Sequence, residues 1–303
     1  MSSHPNATGH CGSTIATLKD ERVTVAVLTH NRLAEVERTL AALLSVPEPP
    51  PVIVVDNASS DGTERHLSAR SDISYIRLAH NVGAAARNVA VRQASTRYVA
   101  LCDDDTWWEA ESLRRAADIL DRCPRHALLV SRVLVGESGR VDPTCKVMAT
   151  SPLPREPDDP GPPLLGFLAG ASIVRRDMFL SVGGFSERLF IGGEEALVAI
   201  DFAMRGFRMS YVCDLTVHHF PSAHRDASAR EFYLLRNALW TAWLRRSPTT
   251  ALASTLRAGR AATEDWVACR ALASALRGLP WVLTRRRQVP ARLERQLRAL
   301  ERD

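Results

Sequence analysis

The sequence predicts an α/β fold in which a mostly parallel sheet is flanked by helices, followed by a helical C-terminal region. Three observations predict it. Short β-branched and apolar runs alternate with helix-period segments from Val23 to Cys102. Those runs are apolar on both faces, as in parallel strands covered by helices above and below. From Ser228 onward, leucine, alanine and aromatic residues recur at helical spacing with arginines between them.

VTVAVLT (23–29) is the first strand, its β-branched side chains suited to a pleated surface. RLAEVERTLAALLSV (32–46) carries apolar residues at helical spacing. PVIVVDN (51–57) is the second strand and runs into the turn signal NASSDGT. TERHLSAR (63–70) reads as a helix, SYIRLA (74–79) as a third strand, NVGAAARNVAVRQAS (81–95) as an alanine-rich helix and RYVALC (97–102) as a fourth strand. ESLRRAADILDRCP (111–124) is an amphipathic helix and HALLVSRVLV (126–135) a further strand. The proline- and acid-rich stretch 142–163 breaks the alternation and is long enough for a mobile cover or a poorly ordered insertion. Order resumes over 164–185 and 191–207, then in the strand MSYVCDLTVHHF (209–220). Residues 1–21, mostly small, polar and aperiodic, read as a flexible lead-in.

An apolar fraction of 46% supplies a real core, and 24% charged residues is ordinary for a soluble domain, which excludes disordered and fibrous classes. The net charge of +5 is uneven, with arginine dominating from Arg285 onward. Such a surface suits anionic lipid or phosphorylated ligands, and equally a solvated helix face. No nucleic-acid-binding module accompanies it, so nucleic acid is not an expected partner. Clusters such as FYLL, LWTAWL and LPWVL favour helices that pack back on the α/β core; peripheral contact with an anionic membrane is the alternative. Six cysteines lie far apart without a CxxC pair, against a zinc knuckle or a disulfide scaffold; Cys102 and Cys213 read as small buried hydrophobes. No signal-peptide h-region and no apolar run of spanning length are visible, so a reduced, cytoplasmic setting is expected.

In open α/β sheets, ligands bind beyond the carboxyl ends of the strands. Four strands here end in polar groups: Thr29, His30 and Asn31; Asp56 and Asn57; His80 and Asn81; then Asp103, Asp104 and Asp105. One such end is unremarkable, but four indicate a single site along one edge.

The three adjacent carboxylates need a compensating charge or free access to water. A helix N-terminus directly after the strand would welcome one of them as a cap, but not three. A hard divalent cation, Mg²⁺ or Mn²⁺, accounts for more: it takes oxygen ligands, commonly one or two carboxylates plus substrate phosphates. On an extended segment Asp103 and Asp105 point to one side and Asp104 to the other. Aspartate-nucleophile phosphatases require Thr or Val where this chain has Trp107. The turn after the first strand, THNRLAE, lacks a dinucleotide-binding glycine triplet, and no GxxxxGK[ST] loop occurs.

The ordered set VLTHNRLAEVERTL, VVDNASSDGT, NVGAAARN, LCDDDTWW, GASIVRRDMFLSVGGF and GGEEALVAIDFAMRGF resembles an inverting family 2 glycosyltransferase of the rhamnosyltransferase-like branch. The resemblance spans about Val23 to Phe220. It implies the GT-A nucleotide-diphospho-sugar transferase fold over 22–226, with a nucleotide-binding half (22–106) and an acceptor half (107–226), and a helical region over 227–303. It further implies a nucleotide-diphospho-sugar donor, a carbohydrate or other hydroxyl acceptor and a divalent cofactor. By the family pattern, Thr29, Asn31 and Arg32 line the nucleotide pocket and Asp56 accepts from the base beside Asn57. Asn81, Gly83, Arg87 and Asn88 seat the donor, together with Asp103 and Asp104. Asp105 is the direct metal ligand, joined by Asp103 and His219, with His218 the alternative histidine. Gly183, Gly184 and Phe185 form the GGF loop, which with Trp107 lies on the acceptor side. Glu194 and Glu195 occupy the place of the family's Glu-Asp pair, the second member being the general base. REFYLLRN (230–237) is similar to a segment near the active site of many relatives. Glutamate for aspartate at 195 is a departure: the longer side chain must be set back, or Glu194 takes the role.

Overall fold

A computed structural model describes residues 21–222 and 227–301; the lead-in expected over 1–21 lies, apart from Glu21, outside them. In chain order, β1 (Val23–Thr29), α1 (Leu33–Leu44), β2 (Val52–Asp56), α2 (Thr63–Leu67), β3 (Ser74–Arg77), α3 (Arg87–Gln93) and β4 (Tyr98–Asp103) build the first half. A three-residue strand β5 (Thr106–Trp108), α4 (Ala110–Arg122), β6 (His126–Val135), β7 (Arg140–Val141), α5 (Pro143–Ala149), β8 (Ser172–Arg175), α6 (Arg176–Ser181), α7 (Glu194–Met204) and β9 (Arg208–His219) follow. The remainder is α8 (Ala227–Arg245), α9 (Pro248–Glu264), α10 (Trp266–Arg277), α11 (Leu279–Arg285) and α12 (Ala291–Leu300).

One sheet runs β3-β2-β1-β4-β8-β6-β9-β5, with β7 hydrogen-bonded to β6. The first four strands are mutually parallel, as their two-sided apolar pattern requires. β8 is antiparallel to both neighbours, while β6 and β9 run parallel, so the second half is mixed. The cause lies in the connection: the segment leading into β8 is not a crossover helix that returns the chain to the starting edge. Register sets the site. Thr29 pairs with Asp56 and Leu28 with Asp103, which brings the ends of β1, β2 and β4 to one edge.

The stretch 142–163 is not a free cover. Asp142 caps α5 through the Thr144 N–H, and the Ser151 hydroxyl donates to the Pro163 carbonyl. Buried Asp159 is gripped by Arg208, whose Nε approaches to 2.6 Å. Beside that ion pair, burial lowers the buried His126 imidazole to about 4, which keeps it neutral. Cys102 is buried as expected, whereas Cys213 is exposed. The register against β6 jumps from Val212 to Thr216 across one residue of the partner, and that bulge turns Cys213 and Asp214 outward.

The C-terminal helices pack on the α/β core through two apolar clusters. Leu189 and Leu197 join Leu239, Trp240, Trp243 and Leu244 of α8, and Ile200 joins Val289, Leu293 and Leu297. Arg245 pairs with Asp201, its Nη2 3.0 Å from the carboxylate, which ties the end of α8 to α7. Among the described residues, no helix is long and apolar enough to cross a membrane.

Candidate active site

The loops at the sheet edge hold one another. Asn31 adopts φ +53°, its N–H donates to the Ser59 hydroxyl at 2.9 Å, and its side-chain oxygen accepts from Ser60 N–H. Asparagine is among the residues that tolerate this left-handed conformation. Asp56 is fully enclosed: Ser59 N–H and the Tyr75 hydroxyl donate to its two oxygens at 2.8 and 2.6 Å. It therefore braces the β2 turn here and presents no open oxygen. Asn57 donates to the Asn81 side chain and the Gly83 carbonyl and accepts from Val82 N–H. Asn88 closes two bonds on the Phe185 backbone. Phe185 itself is buried against Phe167 and Phe179, so it is a packing residue, not the acceptor contact expected for it. Trp107 stacks on His218 and Phe220 at the sheet edge, and buried Trp108 donates to the Leu101 carbonyl.

Gly83 (φ +64°) lies where the turn before α3 meets the segment before α7. A Cβ there would come within 2.0 Å of the Phe190 carbonyl oxygen, which accepts from Ala84 N–H. Gly83→Ala combines a left-handed alanine with a backbone clash, and is expected to destabilise the protein by about 2 kcal/mol or more in urea titration.

The carboxylates Asp103 to Asp105 are compensated by arginine. Asp103 pairs with buried Arg87, while the Arg32 fork reaches Asp104 at 2.8 Å and Asp105 at 3.0 Å. Thr29 adds a hydroxyl bond to Asp104. Burial pushes the Asp104 carboxyl up to about 7 against the pull of Arg32. The extended geometry expected for the triplet does not hold. Asp104 and Asp105 form a turn between β4 and β5, so both face Arg32 and Asp103 faces Arg87. The next helix, α4, begins only at Ala110, so the carboxylates do not cap it.

Two groups suit a hard cation. His219 Nε2 lies 3.6 Å from Asp105 Oδ1, whereas His218 turns away to Glu109 at 3.0 Å. The carboxylate is the hard oxygen donor that Mn²⁺ and Mg²⁺ take, and the imidazole stands beside it as a softer nitrogen donor. Among the described residues no three carboxylate, imidazole or thiolate groups converge into a closed cage. The chemistry of the set therefore fits an open site in which phosphate oxygens complete the shell.

Glu194 and Glu195 open α7 directly after Gly193 (φ +80°), and each accepts from its own N–H in that first turn. Burial, then the neighbouring Glu195 charge, pushes the Glu194 carboxyl up to about 7, and its Oε2 is buried without a hydrogen-bond partner. Burial raises Glu195 as well, opposed by Arg87 and by a bond from Ala169 N–H. Arg87 thus sits in the field of Asp103 on one side and both glutamates on the other. The turn Ala169–Gly170 is the part that sequence reasoning missed. Ala169 touches Glu195, and a Cβ on Gly170 would lie 2.6 Å from Asp103 Oδ2. Only the small-residue run LAGAS hinted at so close an approach.

The family model for glycosyl transferase family 2 matches residues 24–183, more than half of the chain. The chain belongs to that family. An N-acetylglucosaminyl-diphospho-decaprenol L-rhamnosyltransferase of Mycobacterium tuberculosis is 24% identical, over 73% of this chain and 86% of its own length. The Bacillus subtilis teichuronic acid biosynthesis glycosyltransferase TuaG is 32% identical over 32% of this chain and 41% of its own length. Among solved structures, a mannosyltransferase from Pyrobaculum calidifontis with GDP-Man and Mn²⁺ superposes with TM-score 0.56 at 20% identity, covering 85% of this chain and 74% of that one. S. aureus TarS 1–349 with UDP-GlcNAc gives 0.55 at 20% identity, covering 73% and 66%; the longer TarS chain is spanned to 40%. These likenesses establish the GT-A fold, and family membership makes the chain a glycosyltransferase using a nucleotide sugar.

Proposed function

We propose that the chain is an inverting, metal-dependent transferase moving a sugar from a UDP- or dTDP-sugar to a hydroxyl on a saccharide or glycoconjugate. One observation carries the reading: Asp103 on one side and buried Glu194 with half-buried Glu195 on the other flank the buried Arg87, and the Ala169–Gly170 turn touches both sides. Residues 22–106 serve as the nucleotide half, with Asn31 and Arg32 at its rim over buried Thr29, Asp56 and Asn57, and 107–226 as the acceptor half. Asn81 braces the donor loop, Asn88 holds the loop at Phe185, Gly184 shapes the acceptor edge, and Trp107 lines it.

In this scheme the acceptor oxygen attacks the anomeric carbon from the face opposite the diphosphate. Glu195 takes the hydroxyl proton, the glycosidic bond forms, and the bond to the diphosphate oxygen breaks. Asp105 and His219 would hold Mg²⁺ or Mn²⁺, which supplies charge neutralisation for the departing nucleoside diphosphate, while Asp103 is engaged by Arg87. Arg87 keeps the base ionised and Arg32 disperses the aspartate charge until donor arrives. Because burial raises both glutamates, a base that must be ionised loses activity on acidification at a higher pH than an ordinary carboxylate would. A kcat/KM profile is expected to show its acid limb displaced upward from the range of an ordinary glutamate.

The decaprenol-linked acceptor in the mycobacterial relative's name supports a lipid-linked acceptor here. Outward Leu252, Leu256, Trp266 and Leu283 beside exposed Arg257 and Arg260 support peripheral contact with an anionic membrane at its cytoplasmic face. The test is donor binding and slow donor hydrolysis across UDP-, dTDP- and GDP-sugars with Mn²⁺, Mg²⁺ or EDTA. Metal-dependent binding and turnover of one donor is the expected result; binding without turnover would leave a nucleotide-sugar-binding protein, and no binding would overturn the reading.

A further inference from the structure

The segment 188–193 immediately precedes the glutamate pair, and its geometry is set from outside the family-matched region. Asn237, in the middle of α8 and fully buried, shares its two amide N–H groups among three carbonyl groups of that segment: Leu189 at 2.8 Å, Ile191 at 3.1 Å and Gly192 at 2.7 Å. Arg236, also buried, donates to the Arg188 and Leu189 carbonyls at 3.1 and 2.9 Å and binds the Asn237 side-chain oxygen, so the two act as one unit. The guanidinium is stacked 4.3 Å from the Trp240 ring centre and 4.8 Å from that of Tyr233, which fixes it on the helix.

Five hydrogen bonds to backbone carbonyls exceed what packing alone asks for. They also fall where the chain is unusual: Phe190, Gly192 and Gly193 take φ of +63°, +83° and +80° in close succession. Such a run leaves carbonyl groups outside any helix or strand ladder, and buried carbonyls without donors are costly. On its far side the same segment meets the donor turn, where Ala84 N–H donates to the Phe190 carbonyl. One short loop therefore touches the donor side, the start of α7 and α8.

We propose that Asn237, supported by Arg236, is a positioning residue for the catalytic step, holding the 188–193 loop so that the α7 glutamates face the donor. The inference rests on the reading of Glu194 and Glu195 as the base pair. It makes the C-terminal helical region part of the active site and not an appendage to it. Because the Asn237 amide donates only to carbonyl groups of the 188–193 loop, it acts on proton transfer through that loop and makes no contact with the nucleotide rim at β1, β2 and β4.

The test uses the full chain with dTDP-rhamnose and UDP-GlcNAc as probe donors, reading nucleoside diphosphate release and, separately, nucleotide affinity by calorimetry. Asn237→Ser keeps a short donor that reaches at most one carbonyl; Asn237→Asp is isosteric but turns the donor into an acceptor. Both are expected to lower kcat at least about 30-fold while nucleotide Kd stays within about twofold, the range of a misplaced catalytic group. Asn237→Gln, which restores the amide, is expected to recover part of kcat. Folded variants with wild-type kcat would overturn the proposal, as would kcat and affinity falling together, or failure of all three to fold. Glu194→Gln and Glu195→Gln run alongside. If both keep full turnover, the base assignment fails, a result separable from any outcome at Asn237.

Discussion

Glu195→Gln is expected to lower transfer about 10²- to 10⁴-fold while leaving nucleotide affinity within about twofold, the loss seen when a positioned general base is removed. That corresponds to about 3–5 kcal/mol of barrier at 1.36 kcal/mol per tenfold. The substitution is nearly isosteric, so the α7 packing of Leu197 and Ile200 stays intact. The glutamine oxygen retains the bond from Ala169 N–H. What disappears is a proton acceptor beside Arg87. Glu194→Gln is expected to cost less than about tenfold, since Glu194 lacks the link through Ala169 to the aspartate turn. A reversed order would move the base to Glu194, and parity of both variants with the wild type would remove base catalysis from this pair. Transfer rates at saturating donor, with the Kd of the matching nucleotide measured separately, distinguish these outcomes.

The parallel half of the sheet was legible because its signal is local. β-branched runs flanked by turn residues give β1 to β4, and their polar ends fall at one edge whatever the later topology. The direction of β8 was not legible, since SIVR pairs equally well either way and only the path of the chain decides. Asp103 to Asp105 announced a charged site by composition alone. How the charge is compensated depended on a two-residue turn that points two carboxylates at Arg32, and turn geometry is not contained in an alternation rule. The hold on 142–163 was hidden for a similar reason: Asp159 and Arg208 lie 49 residues apart, and nothing local links them. Cys213 misled because the bulge that exposes it is a feature of the β6–β9 register. Phe185 misled through its motif. The Phe185 ring is turned into the core while Asn88 holds its backbone, and the GGF motif gives no sign of that.

Asp105→Asn is expected to abolish the metal-dependent part of donor binding and to slow turnover by at least about 10²-fold, the scale of losing one preorganised charge stabiliser. Asp105 is buried, with Arg32 and His219 at its two oxygens. The amide fills the same space but carries no charge to hold a divalent ion against the imidazole. Arg32 retains Asp104 at 2.8 Å and Glu35 at 3.7 Å, so the guanidinium is not left uncompensated and the fold should survive. Thermal unfolding with UDP or dTDP provides the readout. A ligand at 100 times its Kd adds about 2.7 kcal/mol to stability. The wild type is therefore expected to melt higher when Mn²⁺ and nucleotide are present together than with either alone, and Asp105→Asn to show no such increment. In EDTA the two proteins should respond alike to nucleotide. An equal Mn²⁺-dependent increment in both would take the metal away from Asp105. In that case Arg32 and Arg87 would be the cations that serve the diphosphate, with the aspartates acting to hold them in place.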